Sequence, residues 1–310
     1  MPKILLTDHL HPLLKTGLEK NGFTVHDLPD ITEQQVHEII HQYDGLVVNS
    51  KVFAGEELFS KAPYLKFVCR AGSGLEVMDL EAAAKRNIIC FNSPEGNRQA
   101  VGEHALGLLL NVLNNISRSH TQVKNSEWIR EPNRGTELHG KTVALLGYGN
   151  TAQAFAKVLL GFDVSILAYD KYKTGFGNQF VQEADLPLIF EKADVLSIHL
   201  PLTAETTHIV NTDFLRQFKK PIWLINTARG KNVNTADLIT ALEEHRIIAA
   251  GLDVLENEKL ETLKAEEKAQ LHTLAHHPRV VITPHIAGWT HESKRKIAEV
   301  LLEKILALYA

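Results

Sequence analysis

The sequence has very few cysteines, and its histidines show no metal-binding pattern. Only Cys69 and Cys90 occur among 310 residues, which excludes a framework of several disulfides or a cysteine-rich metal centre. Both stand beside strand-like residues, so we expect two buried thiols rather than a bridge. The 16 histidines are scattered without zinc-finger spacing, and no metal site is predicted.

Long apolar runs and a strong charge of either sign are also missing. No apolar segment approaches the roughly 20 residues that span a membrane, and residues 1–8 turn polar too soon for a signal peptide. The formal net charge of -4 gives no electrostatic reason to expect nucleic acid or an anionic membrane as a partner. We therefore expect a cytoplasmic protein in a reduced compartment.

Short apolar strands alternate with amphipathic helices through most of the chain, a pattern typical of parallel βαβ units. Five strands are predicted in the first hundred residues, at 4–7, 24–27, 46–49, 67–70 and 88–91. Thr32 and Gln35 match a capping box for one of the helices between them. We expect these elements to form a small doubly wound domain.

A second α/β region begins at Lys141. It contains six predicted strands, at 143–146, 164–169, 195–199, 222–226, 247–252 and 280–282. Six strands match a complete dinucleotide-binding sheet. A long helix over residues 98–116 precedes this region and a final helix over 290–308 follows it, which predicts two crossings between domains.

A glycine-rich turn joins the first strand of the second region to a helix predicted over residues 153–160. It reads Gly147-Tyr-Gly149-Asn-Thr-Ala152. Gly147 permits the tight turn, Gly149 lets the backbone approach a pyrophosphate, and Ala152 allows close packing of helix on strand. Such turns are also common without any ligand, so the pattern alone is weak evidence.

The next strand strengthens the nucleotide interpretation. It ends at Asp170, about 20 residues after the glycines, where an acid accepts hydrogen bonds from the adenine ribose hydroxyls. The same negative charge repels a 2′-phosphate, so NAD is favoured over NADP. Lys171 and Lys173 follow and weaken this preference without reversing it.

Three ionisable residues follow successive predicted strands of the second region: Arg229, Glu258 and His285. Each has an ordinary structural explanation, respectively a loop charge beside a glycine, part of a solvated Glu/Lys run, and the end of a strand. Open α/β sheets, however, bind ligands beyond the carboxyl ends of their strands. The joint placement of the three residues therefore favours a catalytic site.

These motifs together resemble the D-isomer-specific 2-hydroxyacid dehydrogenases, from about Leu46 to the C-terminus. Further segments that carry the resemblance are 70–76, 92–97 with 101–103, and 199–203 with 205–206. The resemblance implies an α/β fold in which a Rossmann dinucleotide-binding domain, residues 98–285, is inserted into a flavodoxin-like substrate-binding domain, residues 1–97 and 286–310. It also implies an NAD-dependent oxidoreductase acting on a small 2-hydroxy or 2-keto acid.

The resemblance assigns a role to each catalytic candidate. His285 would be the acid/base, because the ordinary pKa of imidazole lies near neutrality. Glu258 would orient the ring and stabilise its protonated form. Arg229 would bind the substrate carboxylate and polarise the carbonyl, since its fork matches planar oxygens.

The remaining site residues are implied to contact cofactor or substrate. Asp253 would meet the nicotinamide amide, and backbone N–H groups at Ser73 and Gly74 would hold the substrate carboxylate. The residues predicted to bind NAD are Gly147, Gly149, Asn150, Thr151, Asp170, His199, Pro201, Thr206, Thr227, Ala228, Asp253 and Gly288. The residues predicted to bind substrate are Asn49, Ser50, Ser73, Gly74 and Arg229.

Two departures from the family pattern affect the substrate. The phosphoglycerate enzymes of the family usually carry Arg-Ser after the third strand, whereas this chain reads Val48-Asn49-Ser50-Lys51, so Lys51 supplies the charge of that loop. Trp289 stands where a serine is common and either packs between domains or narrows the substrate pocket. Both departures leave the reaction class intact.

The leading substrate hypothesis is 3-phosphoglycerate or its keto acid, in serine biosynthesis, by a short form without a regulatory domain. The alternatives are a glyoxylate or hydroxypyruvate reductase and a D-lactate dehydrogenase, which need no phosphate-binding arginine. A different class is a corepressor that binds NADH to control assembly. The retained Arg229, Glu258 and His285 favour the enzyme, and the resemblance implies a homodimer formed through about residues 98–133.

Overall fold

The computed structural model describes residues 1–310 as two compact units. The first unit comprises Met1–Arg98 and Trp289–Ala310, and the second comprises Gln99–Gly288. The chain therefore leaves the first unit after Arg98 and returns to it after Gly288, where the sequence analysis places the boundaries after residues 97 and 285.

Five parallel strands with intervening helices form the first unit. The elements are β1 (Lys3–Leu6), α1 (Pro12–Lys20), β2 (Thr24–Asp27), α2 (Glu33–Ile39), β3 (Gly45–Val48), α3 (Glu56–Ser60), β4 (Phe67–Arg70), α4 (Leu80–Lys85) and β5 (Ile89–Phe91). Their order in the sheet is β2-β1-β3-β4-β5, which is the flavodoxin-like doubly wound order. All five predicted strands are confirmed, as is the Thr32–Gln35 capping box at the start of α2.

The central strands β1, β3 and β4 of the first sheet are buried on both faces over most of their length, as expected where helices cover a parallel sheet on each side. Its register pairs Cys69 with Phe91 and Val68 with Cys90, so the two cysteines of neighbouring strands face opposite cores. The thiols are therefore free, as expected, and burial raises the pKa of the Cys69 thiol.

The long helix differs from its predicted extent. α5 (Pro94–Asn114) begins four residues before Arg98 because proline is tolerated in the first turn of a helix. It ends at Asn114 because Asn115 adopts a left-handed φ of 55°, and a separate helix α6 (Ile116–Lys124) follows. The single helix predicted over residues 98–116 therefore does not run through to its predicted end, because the chain breaks at Asn115 and a second helix follows.

Seven parallel strands form the sheet of the second unit. The elements are β6 (Thr142–Leu146), α7 (Asn150–Leu159), β7 (Ser165–Tyr169), β8 (Val181–Glu183), α8 (Leu186–Lys192), β9 (Val195–Ile198), α9 (Thr212–Arg216), β10 (Ile222–Asn226), α10 (Thr235–Glu243), β11 (Ile247–Leu252), α11 (Ala265–His276) and β12 (Val280–Ile282). The order is β12-β11-β10-β9-β6-β7-β8, a Rossmann sheet whose strand order reverses beside β6. The six predicted strands are confirmed, but the count of six is wrong because β8 is a seventh strand at the edge.

The last helix returns the chain to the first unit. α12 (His291–Ala307) begins after Thr290, whose side chain accepts a hydrogen bond from the Ser293 N–H and caps the helix. Its buried residues Leu301 and Ile305 share a core cluster with α1 of the same unit. None of the helices combines the length and the apolar character that crossing a membrane requires.

Candidate active site

The glycine turn lies between β6 and α7 at the centre of the second sheet. Gly147 has a φ of 88°, and a Cβ there would stand 2.8 Å from the His199 carbonyl oxygen, so the position requires glycine. Open space surrounds the place of a Cβ at Gly149. α7 begins at Asn150 rather than at the predicted residue 153, which puts Asn150 and Thr151 in its first turn. The N–H groups of that turn lack intrahelical acceptors and suit a pyrophosphate.

Asp170 follows β7 and is fixed beside this turn. One carboxylate oxygen accepts a hydrogen bond from the Tyr148 N–H at 2.9 Å. The other accepts from the N–H groups of Tyr172 at 3.0 Å and Lys173 at 3.1 Å. Ionised oxygens retain further acceptor capacity, so the arrangement suits the ribose hydroxyls of NAD.

His199 follows β9 and is buried against the same turn. Its Nε2 lies 2.9 Å from the Ser197 hydroxyl and its Nδ1 lies 3.2 Å from the Thr151 hydroxyl. Burial lowers the pKa of His199 to about 3, so the ring is neutral at physiological pH. His199 therefore positions the first turn of α7 and does not act as an acid.

The loop after β9 is folded by its own threonines. The Thr206 hydroxyl donates to the Pro201 carbonyl at 2.7 Å and accepts from the Thr203 N–H at 2.8 Å. The fully buried Asn232 donates to the Thr206 carbonyl at 3.1 Å. Pro201 and Thr206 thus belong to a fixed loop, held by an asparagine that the sequence analysis did not identify.

Arg229 lies in the turn after β10, which the buried Asn226 holds. The Asn226 side-chain oxygen accepts from the Ala228 N–H, and its amide nitrogen donates to the Arg229 carbonyl, both at 3.0 Å. The adjacent Gly230 is equally constrained, because a Cβ there would stand 1.9 Å from the Leu255 carbonyl carbon. Sequence reasoning missed Asn226, whose only signal in the sequence is that a polar residue ends an apolar strand.

The residues before Arg229 also have defined places. Thr227 is buried, and its hydroxyl has no hydrogen-bond partner. The Ala228 carbonyl accepts a hydrogen bond from the Arg229 Nη1 at 2.7 Å. Both residues stand at the carboxyl end of β10, where the sequence analysis places the wall of the cofactor cleft.

His285 and Glu258 form a close pair after β12 and β11. The Nδ1 of His285 lies 2.7 Å from a carboxylate oxygen of Glu258, and the two side chains are 47% and 42% exposed. Glu258 thereby fixes the orientation of the ring, while Nε2 makes no hydrogen bond. The backbone of His285 is left-handed, with a φ of 55°, a conformation that costs a non-glycine residue about 1–3 kcal/mol.

Asp253 holds the strained histidine loop in place. Its buried carboxylate accepts hydrogen bonds from the Thr283 hydroxyl at 2.6 Å, the Ile286 N–H at 2.9 Å and the Ala287 N–H at 2.8 Å. Its backbone carbonyl accepts from the His285 N–H at 2.8 Å. The sequence analysis assigns Asp253 to the nicotinamide amide, whereas these contacts also make it a positioning residue for His285.

The predicted substrate residues of the first unit lie in two loops after adjacent strands. Asn49 follows β3, and its N–H donates to the buried Asp8 carboxylate at 2.9 Å. Its carbonyl accepts from the Arg70 Nε at 3.1 Å. The exposed Ser50 comes next, and the Lys51 ammonium donates to the Pro29 carbonyl.

The second of these loops follows β4 and contains Ser73 and Gly74. The Ser73 hydroxyl donates to the Asn97 side chain at 2.5 Å, and its carbonyl accepts from Asn92. Gly74 continues the loop and is partly buried. At the other end of the chain, Gly288 closes the second unit and Trp289 opens the last segment of the first with 76% of its surface exposed.

Within the second unit, all predicted site residues but Gly288 follow strands β6, β7, β9, β10, β11 or β12. Because these strands are parallel neighbours, their carboxyl ends meet at one edge of the sheet. The edge thus combines a glycine turn that suits a phosphate, an acid that suits ribose hydroxyls, and an Arg/His/Glu set. That combination defines the class of NAD-dependent dehydrogenases.

Comparison with known proteins narrows the class. Residues 106–287 match the model of the family described as D-isomer specific 2-hydroxyacid dehydrogenase, NAD binding domain. The chain is 37% identical to glyoxylate reductase from Thermofilum pendens, over 99% of this chain and 91% of the relative. It is 31% identical to D-3-phosphoglycerate dehydrogenase from Bacillus subtilis, over 96% of this chain but only 54% of the relative.

A solved structure also supports membership of this family. D-lactate dehydrogenase from Aquifex aeolicus, complexed with NAD and lactic acid, superimposes with a TM-score of 0.83 at 26% identity and covers 99% of this chain and 95% of its own. The chain belongs to the D-isomer specific 2-hydroxyacid dehydrogenase family. The predicted reaction class, an NAD-dependent oxidoreductase acting on the CH–OH group, and the predicted cofactor are confirmed.

Proposed function

We propose that this enzyme reduces a small, unphosphorylated 2-keto acid such as glyoxylate or hydroxypyruvate. The observation that carries this proposal is the loop after β3. A substrate phosphate is usually recognised by cations that donate charge-assisted hydrogen bonds. Here Asn49 carries no charge, and the Lys51 ammonium already donates a hydrogen bond to the Pro29 carbonyl. The loop therefore presents no cation committed to a phosphate.

The strand-end residues of the second unit suit this chemistry. Bound NADH supplies the hydride that reduces the carbonyl carbon. The Arg229 guanidinium pairs with the substrate carboxylate in a planar, bidentate geometry. The Nε2 of His285 donates its proton to the carbonyl oxygen as negative charge develops there, and Glu258 keeps Nε2 in position through its bond to Nδ1.

A specific observation favours 3-phosphoglycerate as a second candidate substrate. Arg70 ends β4, and its planar guanidinium donates from Nε to the Asn49 carbonyl and from Nη1 to Glu76, both at 3.1 Å, so a partly engaged cation with further donors adjoins the loop after β3. The relative from Bacillus subtilis is a D-3-phosphoglycerate dehydrogenase. Recognition of 3-phosphoglycerate through Arg70 would place this enzyme in serine biosynthesis.

Steady-state oxidation of NADH with glyoxylate, hydroxypyruvate, pyruvate and phosphohydroxypyruvate separates these substrates. We expect the highest kcat/KM with glyoxylate or hydroxypyruvate, and the same ranking in a Lys51→Ala variant. If the enzyme instead recognises a phosphate at this loop, phosphohydroxypyruvate leads the ranking. Arg70→Ala, or Lys51→Ala if the lysine is the ligand, then lowers its kcat/KM by about tenfold, the loss of one charge-assisted bond. Tight NADH binding without turnover of any keto acid would favour the corepressor class.

The assembly that we propose is a homodimer formed through α5, α6 and the following segment. Apolar side chains are exposed there, among them Ile116 at 52%, Val123 at 51% and Trp128 at 81%. Burying them in a second copy removes apolar surface from water. Light scattering at micromolar concentration should give the dimer mass, and Trp128→Ser should weaken the dimer. Tyr64→Ser, at an aromatic site of the first unit that is also largely exposed (67%), should not.

A further inference from the structure

Two lysines follow the ribose acid, and the structure gives each ammonium a partner. The Lys173 Nζ donates to the Tyr148 carbonyl at 3.1 Å, within the glycine turn itself. The Lys171 Nζ donates to a carboxylate oxygen of Glu205 at 2.9 Å. Positive charge thus stands directly beside Asp170, but it is engaged by other groups of the chain.

Glu205 is held so that both of its oxygens are used. The second oxygen accepts the hydroxyl of Tyr172 at 2.5 Å, so residues 171 and 172 both bond to one carboxylate. The hydroxyl of Tyr172 and the charge of Lys171 lower the pKa of the Glu205 carboxyl, which is therefore ionised at neutral pH. The threonine bonds and Asn232 fix the loop that carries it.

We propose that Glu205 is a specificity-determining residue that helps to select NAD against NADP by keeping Lys171 away from the 2′-phosphate. The inference rests on dinucleotide binding at the glycine turn and is independent of the keto-acid substrate. NADP differs from NAD by a phosphate at the ribose hydroxyl that Asp170 is placed to accept. A lysine next to that acid is the natural group to neutralise the phosphate, and Glu205 engages it first.

The expected contribution is modest, because the pair is exposed. The Lys171 and Glu205 side chains are 57% and 55% accessible, and exposed ion pairs contribute little in solvent of high dielectric. Asp170 therefore remains the main determinant of cofactor choice. Glu205→Gln removes the ionic partner of Lys171 and should lower the NADPH-to-NADH ratio of dissociation constants by about fivefold.

The test is a fluorescence titration of the full chain with NADH and with NADPH, without substrate. Four proteins are compared: wild type, Glu205→Gln, Lys171→Ala and the double variant. If Glu205 acts by engaging Lys171, the double variant returns to the wild-type ratio, because the released lysine is gone. A ratio that Glu205→Gln leaves unchanged, or a gain that persists in the double variant, overturns the proposal.

A matched control separates this effect from net charge. Glu191 is an exposed acid of α8 that pairs with Lys192 at 2.9 Å, so Glu191→Gln changes the net charge equally. Its ratio should equal that of wild type, and an equal shift there would attribute the effect to charge alone and overturn the inference. A wild-type chain that binds no NADH would instead refute the proposed function, which keeps the two failures distinct.

Discussion

Two histidines of the second unit follow strands of the same sheet, yet their surroundings differ in every respect that matters for proton transfer. His199 is buried between two hydroxyls, and its pKa falls to about 3. His285 is half exposed and pairs with Glu258 through Nδ1, while its Nε2 makes no hydrogen bond. Placement at a strand end therefore does not by itself make a histidine an acid/base.

The two sites also differ in what holds them. His199 directly follows β9 and is not among the residues with a left-handed φ, so side-chain bonds suffice to orient the ring. His285 occupies a left-handed conformation and needs the carboxylate of Asp253, the carbonyl of Asp253 and the side chain of Glu258. The strained histidine is the one that we propose as the acid/base, and its geometry depends on residues that need not touch the substrate.

The largest effect is expected from removing the imidazole ring of His285. His285→Ala should lower kcat by about 10²- to 10⁴-fold, because it removes the proton donor at Nε2. The dissociation constant for NADH should stay near that of wild type, since the glycine turn and Asp170 are untouched. Steady-state kinetics and NADH fluorescence titration measure the two quantities.

The control for this variant is His272→Ala, an exposed histidine of α11. It should keep the wild-type kcat. Equal turnover in His285→Ala and wild type would show that His285 is not the acid/base.

A smaller effect is expected from a substitution that loosens the loop of His285 but leaves its ring in place. Asp253→Asn turns an oxygen that accepts hydrogen bonds into an NH₂ group facing N–H or O–H donors, so at least one buried donor loses its partner. The free energy of unfolding should fall by about 1–3 kcal/mol, and kcat should fall with it. Urea denaturation and steady-state kinetics on the same preparation check both.

Asp237→Asn is the matched control, because that carboxylate accepts the Thr212 N–H away from the histidine loop. It should cost some stability without a specific loss of kcat. Wild-type turnover in Asp253→Asn would mean that the loop keeps its shape without the carboxylate.

The local parts of the fold and site were predictable from the sequence. Strands such as β3 and β10 are buried on both faces, so they appear as continuous apolar runs. Gly147 lies in the tight turn directly after β6, and its positive φ requires glycine. In both cases the physical cause lies within one short segment, and the sequence displays it directly.

Other features depend on contacts that the sequence does not display. β8 has three residues, two of them exposed, so it carries no apolar pattern. The break between α5 and α6 rests on one backbone angle at Asn115. Glu205 and Lys171 lie 34 residues apart, and only the folded sheet brings their loops together.

The roles of Asn226 and Asp253 were hidden for a further reason. Both are single polar residues at the ends of apolar strands, and many such residues only end a strand. Their importance follows from which buried N–H groups they accept, and this depends on the conformation of the next loop. A sequence shows the polar residue but not the donors around it.

The last prediction concerns the buried ring of His199, whose effect on stability appears only at acidic pH. The unfolded chain protonates this ring below its ordinary pKa of 6.5, whereas the folded chain keeps it neutral down to about 3. The stabilisation is therefore complete above pH 6.5 and is lost as the pH falls toward 3, by up to about 1.4 kcal/mol per pH unit. His199→Gln keeps a hydrogen-bonding side chain but cannot titrate, so its free energy of unfolding should fall less steeply between pH 6.5 and pH 5 than that of wild type. The exposed His272→Gln should follow the wild-type slope, and a wild-type slope in His199→Gln would show that the buried ring takes up its proton in the folded state as readily as in the unfolded one.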